Sequence, residues 1–406
     1  MPLFLRTLFM RKNIIHLFRL TSAILICTAA FFAVSCKKVV GARTQLVFGT
    51  VCTVNAYTDG TAKLYDELFA CLNTLDKEFS ANRDDSEVAK INTAAGIQPV
   101  QVTPDVLYIT KIALSYASLT GGAFDPTIGP VVKLWGINTD HARVPSKEEL
   151  AQALPLVNWQ NVTVKDDTVF LREKGMKLDF GAIVKGYAAD RLAAILKARK
   201  VKRAVIDLGG NVYVYGKKED GSAWRVGIKN PGNPEGAPAL VLSLQNSSVV
   251  TSGVYERFFI QDGIRYHHII DPKTGYPVNN GLTSVSIICE SSTAADALST
   301  SLFILGPDKG FNLLSTFSVS ASPSQGKKKT DTVDGMGMWL FTGNPDSAGQ
   351  TAPVTAEGTP VLAPVSGLTK AVSAVFVTED KKIFASEDLE PVLEVKDESF
   401  GTPAYR

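Results

Sequence analysis

The chain has 406 residues, 45% of them hydrophobic, and a formal net charge of +2. This length supports a large core in one or two domains, and the near-neutral charge, with no basic clusters interleaved with aromatics, argues against a nucleic-acid partner. Cys52, Cys71 and Cys289 are scattered, without a Cys-x-x-Cys, so neither a disulfide scaffold nor a zinc site is indicated.

Arg6, Arg11, Lys12 and Arg19 precede an uncharged apolar run over 20–34, which ends in small residues before Cys36. The run is short for a membrane span. It reads as a signal peptide, residues 1–35, processed before a lipid-modified Cys36, with an uncleaved anchor as the alternative. Either way the body is expected to be exported and held at a membrane surface, on the periplasmic face.

Residues 45–57 alternate as one strand, and 62–79 repeat Leu64, Leu68, Leu72, Leu75 and Phe79 at helical spacing. A short helix opens at Asp85-Ser86-Glu87. A longer one begins at Thr103-Pro104 and stops at Gly121-Gly122, delivering the chain into Ala123-Phe124-Asp125-Pro126-Thr127-Ile128-Gly129-Pro130. That segment is too rich in Gly and Pro for regular structure yet too apolar for an idle loop, so it reads as a rigid pocket wall. Ser146 to Glu149 is a capping box, and 161–172 a hairpin turning at Asp166-Asp167.

Residues 176–187 carry the sharpest signal. Alternation up to Phe180 gives way to helical spacing, predicting a strand that turns directly into a helix at Gly181-Ala182. The free N–H groups of such a helix start favour an anion, Lys185 can reach the same anion, and Asp179 adds an acceptor or metal ligand. An ordinary strand–helix junction with a solvated lysine is the bland alternative. The Asp-Phe-Gly triplet does not indicate a protein kinase, since no Gly-rich loop, strand lysine or His-Arg-Asp loop lies upstream.

Residues 203–208 and 212–215 read as strands around Gly209-Gly210, which is either a ligand-approach site or a hairpin turn. Strands at 224–228, 239–244 and 247–252 are expected to continue the same sheet. Residues 266–277 form a strand ending in a tight Pro/Gly turn and contain His267 and His268; a strand histidine is more often structural than catalytic. After a strand at 282–289, a helix over 291–305 places Asp296 and Thr300 on one face. Such hard oxygen ligands suit Mg²⁺ shared with substrate phosphates; an Asp stabilising the helix start and a solvent-facing Thr are the alternative. Residues 318–370 shift to Ser, Thr, Gly, Pro and Lys, a loop-rich insertion with one strand at 337–342. Strand pattern returns at 371–384, and the end of the chain reads as a tail.

Taken in order, Phe48-Gly49-Thr50, Asp85-Ser86-Glu87, Ala123-Phe124-Asp125-Pro126-Thr127, residues 178–186, Asp207-Leu208-Gly209-Gly210-Asn211, His268-Ile269-Ile270-Asp271-Pro272 and residues 293–300 form a recognisable set. With it the chain resembles the FAD:protein FMN transferase (ApbE) family over about 46–317, with a remnant at 371–384. The resemblance implies a T-fold-like α+β architecture of mixed and antiparallel sheets packed with helices. It sets a transferase core at 44–317 and C-terminal strands at 371–395 that complete it. It further implies FAD as donor, Mg²⁺ as cofactor, and transfer of FMN to a Thr or Ser hydroxyl of an acceptor protein with release of AMP. The Ala182 carbonyl, Asp296 and Thr300 would hold the metal. Phe48, Asn82, Ala123, Phe124, Asp125, Asp179, Lys185 and Ile270 would contact the flavin nucleotide. Phe48 stands where the family usually has Met, and Asn82 near where it often has Tyr.

Attack on a diphosphate requires charge neutralisation, which Lys185, a metal and a helix start supply. His268 is the expected base, with Asp271 as its orienter. Two other readings use the same residues: an FAD pyrophosphatase releasing FMN and AMP, and a lipoprotein that binds flavin without chemistry.

Overall fold

The computed structural model describes residues 39–81, 83–319 and 372–406. The expected signal peptide with Cys36, Asn82, and all but the first residues of the expected 318–370 insertion, including its 337–342 strand, lie outside them.

The alternation expected as one strand over 45–57 is cut in two. Phe48 (φ 53°) and Gly49 (φ 66°) both take left-handed backbone, the pattern of a two-residue hairpin turn, so β1 (Arg43–Val47) folds back on β2 (Thr50–Asn55). A Phe in that region is uncommon; here its N–H is held by the Asp76 carboxylate at 3.1 Å. Asp76 lies on α1 (Ala62–Phe79), which starts at Thr61 as N-cap and buries the predicted leucine stripe. α2 (Glu87–Thr93) is capped by Ser86, and α3 (Pro104–Leu119) by Thr103 with Pro at its first position. β3 (Val100–Gln101) joins them. The 123–130 wall runs into a helix the pattern did not announce, α4 (Gly129–Trp135), and α5 (Lys147–Ala153) carries the capping box of Ser146 and Glu149. β4 (Val162–Lys165) and β5 (Thr168–Leu171) form the predicted hairpin, with β3 as a third strand.

After α6 (Val184–Ala198), β6 (Arg203–Leu208) and β7 (Asn211–Gly216) pair through Gly209 (φ 65°) and Gly210 (φ 91°), so the double glycine is a hairpin turn. A Cβ on Gly209 would also lie 2.2 Å from the Thr50 hydroxyl. β8 (Trp224–Ile228) and β9 (Leu240–Leu244) do not continue the main sheet as expected, whereas β10 (Ser247–Gly253) does. A second hairpin, β11 (Phe258–Gln261) and β12 (Ile264–His267), precedes β13 (Leu282–Cys289). α7 (Ser292–Val319) is broken at Gly306 (φ 76°, ψ 173°), just before Pro307. β14 (Ser373–Thr378) and β15 (Ile383–Ala385) add to the main sheet. The end of the chain is not a loose tail: β16 (Leu393–Val395) pairs with β9, Phe400 is buried, and β17 (Ala404–Tyr405) lies parallel to β15.

The main sheet runs β1-β2-β6-β7-β10-β13-β14-β15-β17, antiparallel except at β15/β17. α6 and α7 pack together and against the sheet. The small sheet β16-β9-β8 joins it through a core of Trp224, Leu240, Leu242, Val249, Val375 and Val377. This is an α+β fold, with Lys185 on α6 and Asp296 and Thr300 on α7, the two helices packed on the sheet.

One half-buried acid tunes the helix layer. Glu78 on α1 has a carboxylate oxygen with no hydrogen-bond partner, and burial, with Asp105 and Glu87 nearby, pushes its pKa up to about 7. Between the ordinary glutamate value and 7 the folded chain holds a proton that the unfolded chain has released, so stability falls as pH rises through that window. Glu78→Gln should therefore raise Tm at pH 8 while leaving it nearly unchanged at pH 4, which thermal denaturation at the two values would check.

Candidate active site

Residues 176–180 are extended, but they are not a sheet strand. Leu178 N–H donates to Asn92 Oδ1 (2.6 Å) and the Leu178 carbonyl accepts from Asn92 Nδ2 (3.0 Å), so one side chain replaces a neighbouring strand. Asp179 N–H donates to the Pro126 carbonyl (2.8 Å), tying this stretch to the 123–130 wall. Gly181 to Ile183 form a turn, and α6 starts only at Val184; the direct junction at Gly181-Ala182 is displaced by this turn. Lys185 thus lies in the first turn of α6.

The helix start receives its anion from within the chain. Gly186 N–H donates to Asp296 Oδ2 (2.9 Å), and Lys185 Nζ stands 3.7 Å from Asp296 Oδ1 and 3.2 Å from the Gly181 carbonyl. The Lys185 side chain is 18% exposed and that of Asp296 5%, so this is a half-sheltered ion pair facing the turn that carries Ala182. Asp296 is not the residue that stabilises the start of α7. Asp190 on α6 does that, accepting from the N–H groups of Ser292 (2.8 Å) and Thr293 (3.0 Å) and from the Thr293 hydroxyl (2.6 Å). Asp296 is thereby left to the site. Thr300, one turn further, has its hydroxyl 3.3 Å from that of Ser252, which in turn contacts Ser299 at 2.9 Å. Asp190 and Ser252 carry no motif that marks them, and nothing in the 178–186 motif singles out the N–H of its last residue, Gly186.

Asp179 Oδ1 accepts the Gly181 N–H at 2.7 Å; burial raises its pKa, opposed by that N–H and by the charges of Arg257 and Lys185. Asp125 is likewise raised by burial and is gripped by the Thr127 N–H (2.8 Å) and hydroxyl (2.6 Å) and the Trp159 N–H (3.3 Å). Ala123 and Phe124 are buried, with the Phe124 ring against Tyr116. A cleft of about 350 Å³ opens beside Asp125, between Asn158-Trp159 and Pro272-Lys273. Lys185, Asp296 and His268 are not among its lining residues. Phe48, half-buried in the β1–β2 turn, belongs to the same end of the sheet as the Gly209 turn, since Gly209 abuts Thr50.

The two adjacent histidines differ. His267 uses both ring nitrogens internally, Nε2 with the Val278 carbonyl (2.9 Å) and Nδ1 with the Ile269 N–H (3.3 Å). His268 uses one: Nδ1 lies 3.2 Å from the Arg257 carbonyl, which also accepts the His268 N–H at 3.1 Å. A carbonyl only accepts, so Nδ1 carries the proton and Nε2 keeps its lone pair. Burial, then the charge of Arg257, with a smaller push from Lys185, drives the imidazole pKa down to about 3, so it is neutral at physiological pH. Asp271 does not orient this ring. Its carboxylate takes the Lys273 N–H (2.9 Å) and its carbonyl the Gly275 N–H (2.8 Å), which closes the Pro/Gly turn. Ile270 is buried against Val131, Trp135 and Leu150, and the Trp135 indole donates to the Gly275 carbonyl (2.7 Å), so turn and wall are one rigid unit.

Residues 48–321 match the family model described as ApbE family. A protein of Treponema pallidum named FAD:protein FMN transferase is 42% identical over 294 residues, which are 68% of this chain and 81% of that protein. Among solved structures, the ApbE protein of Thermotoga maritima has a TM-score of 0.63 at 34% identity, covering 69% of this chain and 91% of its own. The apo flavinyl transferase ApbE of Pseudomonas stutzeri has a TM-score of 0.61 at 34% identity, covering 68% and 88%. With the family model matched over 48–321 and a relative 42% identical across 68% of the sequence, this chain belongs to the ApbE family.

Proposed function

We propose that the chain is an Mg²⁺-dependent transferase that moves FMN from FAD to a Thr or Ser hydroxyl of an acceptor protein, releasing AMP. Its relatives' name, FAD:protein FMN transferase, supplies the reaction class. The observation that carries the reading is the pairing of Lys185 with Asp296 across the first turn of α6.

The donor set fits a hard divalent cation. Among the described residues no three His, Cys, Asp or Glu side chains converge, whereas the Asp296 carboxylate, the Thr300 hydroxyl and the Ala182 carbonyl are all oxygen donors. A set with one carboxylate suits Mg²⁺, which keeps waters and shares its sphere with substrate phosphates. Bound there, it would draw charge from the diphosphate. Lys185 would neutralise a phosphate oxygen as charge builds. The acceptor oxygen attacks the phosphorus of the FMN half, its bond to the bridging oxygen breaks, and AMP departs. His268 Nε2 would receive the acceptor's proton as the negative diphosphate beside it raises a proton affinity that burial and the charge of Arg257 hold low, while Nδ1–H stays on the Arg257 carbonyl. Asp125, Asp179 and Ile270 belong to the wall that would receive the flavin nucleotide. We place the enzyme outside the cytoplasmic membrane, anchored by lipid on Cys36.

Incubating the signal-free chain with FAD, Mg²⁺ and an acceptor polypeptide should yield AMP and a flavin-modified polypeptide by mass spectrometry; free FMN alone would point to hydrolysis. His268→Ala should slow transfer by about 10²–10⁴-fold with the KM for FAD little changed. Full transfer activity in that variant would remove His268 from the mechanism.

A further inference from the structure

Ser252, on β10, stands where α7 packs on the main sheet. It is buried, and its hydroxyl meets two others from α7, Ser299 Oγ at 2.9 Å and Thr300 Oγ1 at 3.3 Å. Ser299 is buried too, and its hydroxyl also lies 2.9 Å from the Asp296 carbonyl, a turn earlier on the same helix. Each of these three hydroxyls has a single proton to give. That count fixes which way every link points.

A carbonyl only accepts, so Ser299 spends its proton on Asp296. Ser299 Oγ then accepts from Ser252, and Ser252, its own proton spent, accepts from Thr300. The order Thr300, Ser252, Ser299, Asp296 carbonyl is the one in which every link has a donor. The Thr300 link is the longest of the three, and it is the one hydrogen-bond contact of that hydroxyl among the described residues. With its proton directed at the sheet, the Thr300 oxygen keeps both lone pairs unengaged. A cation takes lone pairs and repels protons, so this is the state of the hydroxyl that a metal requires. We infer that Ser252 is a positioning residue for the divalent-cation site, drawing the Thr300 proton away from the metal, with Ser299 holding Ser252 in that role. The relay returns to the backbone of Asp296, whose carboxylate is the other proposed side-chain donor, so both donors belong to one hydrogen-bonded unit between α7 and β10. The inference rests on the metal reading of Asp296 and Thr300. It adds two residues that supply no ligand atom but set how well a ligand can bind.

The test measures Mn²⁺ binding to the signal-free chain without nucleotide, from the loss of the free-ion EPR signal, so no turnover enters the readout. Mn²⁺ shares the preference of Mg²⁺ for oxygen donors. Ser252→Ala should bind it about tenfold more weakly than wild type, because the Thr300 proton loses its acceptor. Ser299→Ala should cost a similar factor, since Ser252 is then free to turn its own proton onto Thr300. In a Thr300→Val background, neither serine substitution should cost anything further. Wild-type affinity in either serine variant, or a loss that persists undiminished beside Thr300→Val, overturns the inference. Where Ser252→Ala melts below the assay temperature, Ser299→Ala with its Thr300→Val pair decides the question. Asp296→Ala in the same assay separates the two readings. Binding lost there but kept in the serine variants leaves the metal site standing without the relay, whereas a wild type that binds no Mn²⁺, or no more tightly than Asp296→Ala, sinks both.

Discussion

Asp296→Ala is expected to lower flavin transfer by about 10³-fold or more, with part of the FAD affinity retained. Asp296 is 4% exposed and serves two neighbours at once, the Lys185 ammonium and the Gly186 N–H. Alanine leaves that N–H without its acceptor and Lys185 without its counter-charge, and it removes the only carboxylate of the proposed metal set. The nucleotide wall around Asp125 and Asp179 is built from other hydrogen bonds, so flavin binding should weaken rather than vanish. Asp296→Asn separates charge from geometry. Its amide oxygen can still accept from Gly186 and hold α6 against α7, so the melting temperature should stay near wild type while transfer is lost. AMP release measured across an Mg²⁺ titration, alongside thermal denaturation, gives both readouts. Wild-type rates in either variant would take the carboxylate out of the chemistry.

Much of the scaffold was legible because single residues carry strong local rules. Thr103-Pro104, Ser146 with Glu149, and the Leu64 to Phe79 stripe each specify a helix by capping or periodicity, and each helix is present. The errors have two causes, pairing partners distant in sequence and a turn built from an unusual residue. Residues 224–228 and 239–244 read as strands, but they pair with each other and with β16, some 150 residues on, in a separate sheet. Phe48 hid a hairpin turn because a phenylalanine is a poor indicator of left-handed backbone, and the Asp76 carboxylate that holds it lies on α1. At the site, Lys185, Asp296 and His268 could be picked out by chemistry. The orienter of His268 could not, because a backbone carbonyl carries no residue signature, and Asp271, close by in sequence, is spent on its own turn. Asp190 was invisible for a similar reason: it caps α7 from α6, a tertiary cap that leaves no trace around Ser292.

Gly186→Ala is expected to lower both stability and turnover. A Cβ at 186 would lie 2.2 Å from the Ser292 carbonyl oxygen, 2.6 Å from its carbon and 2.8 Å from Asp296 Cβ. Ser292 cannot yield. Its N–H is held by Asp190, and its hydroxyl contacts Asn211 Oδ1 (2.7 Å) and Ser248 (2.8 Å), both on strands of the main sheet. One methyl group therefore has to push α6 away from α7, an overpacking cost of about 3 kcal/mol. Displacement of the two helices also separates Lys185 from Asp296, and a misplacement on the order of 1 Å costs about 10²-fold in rate. Gly181→Ala is the internal comparison, since its Cβ would meet only the Asp179 carboxylate, at 3.0 Å, and its φ is not positive. The Gly186 variant should unfold several degrees below wild type and, assayed well below its own midpoint, still turn over about a hundredfold more slowly. Gly181→Ala should keep the wild-type melting temperature. A Gly186→Ala chain with native stability and rate would mean that the close approach of α6 and α7 does not set the geometry of the Lys185–Asp296 pair.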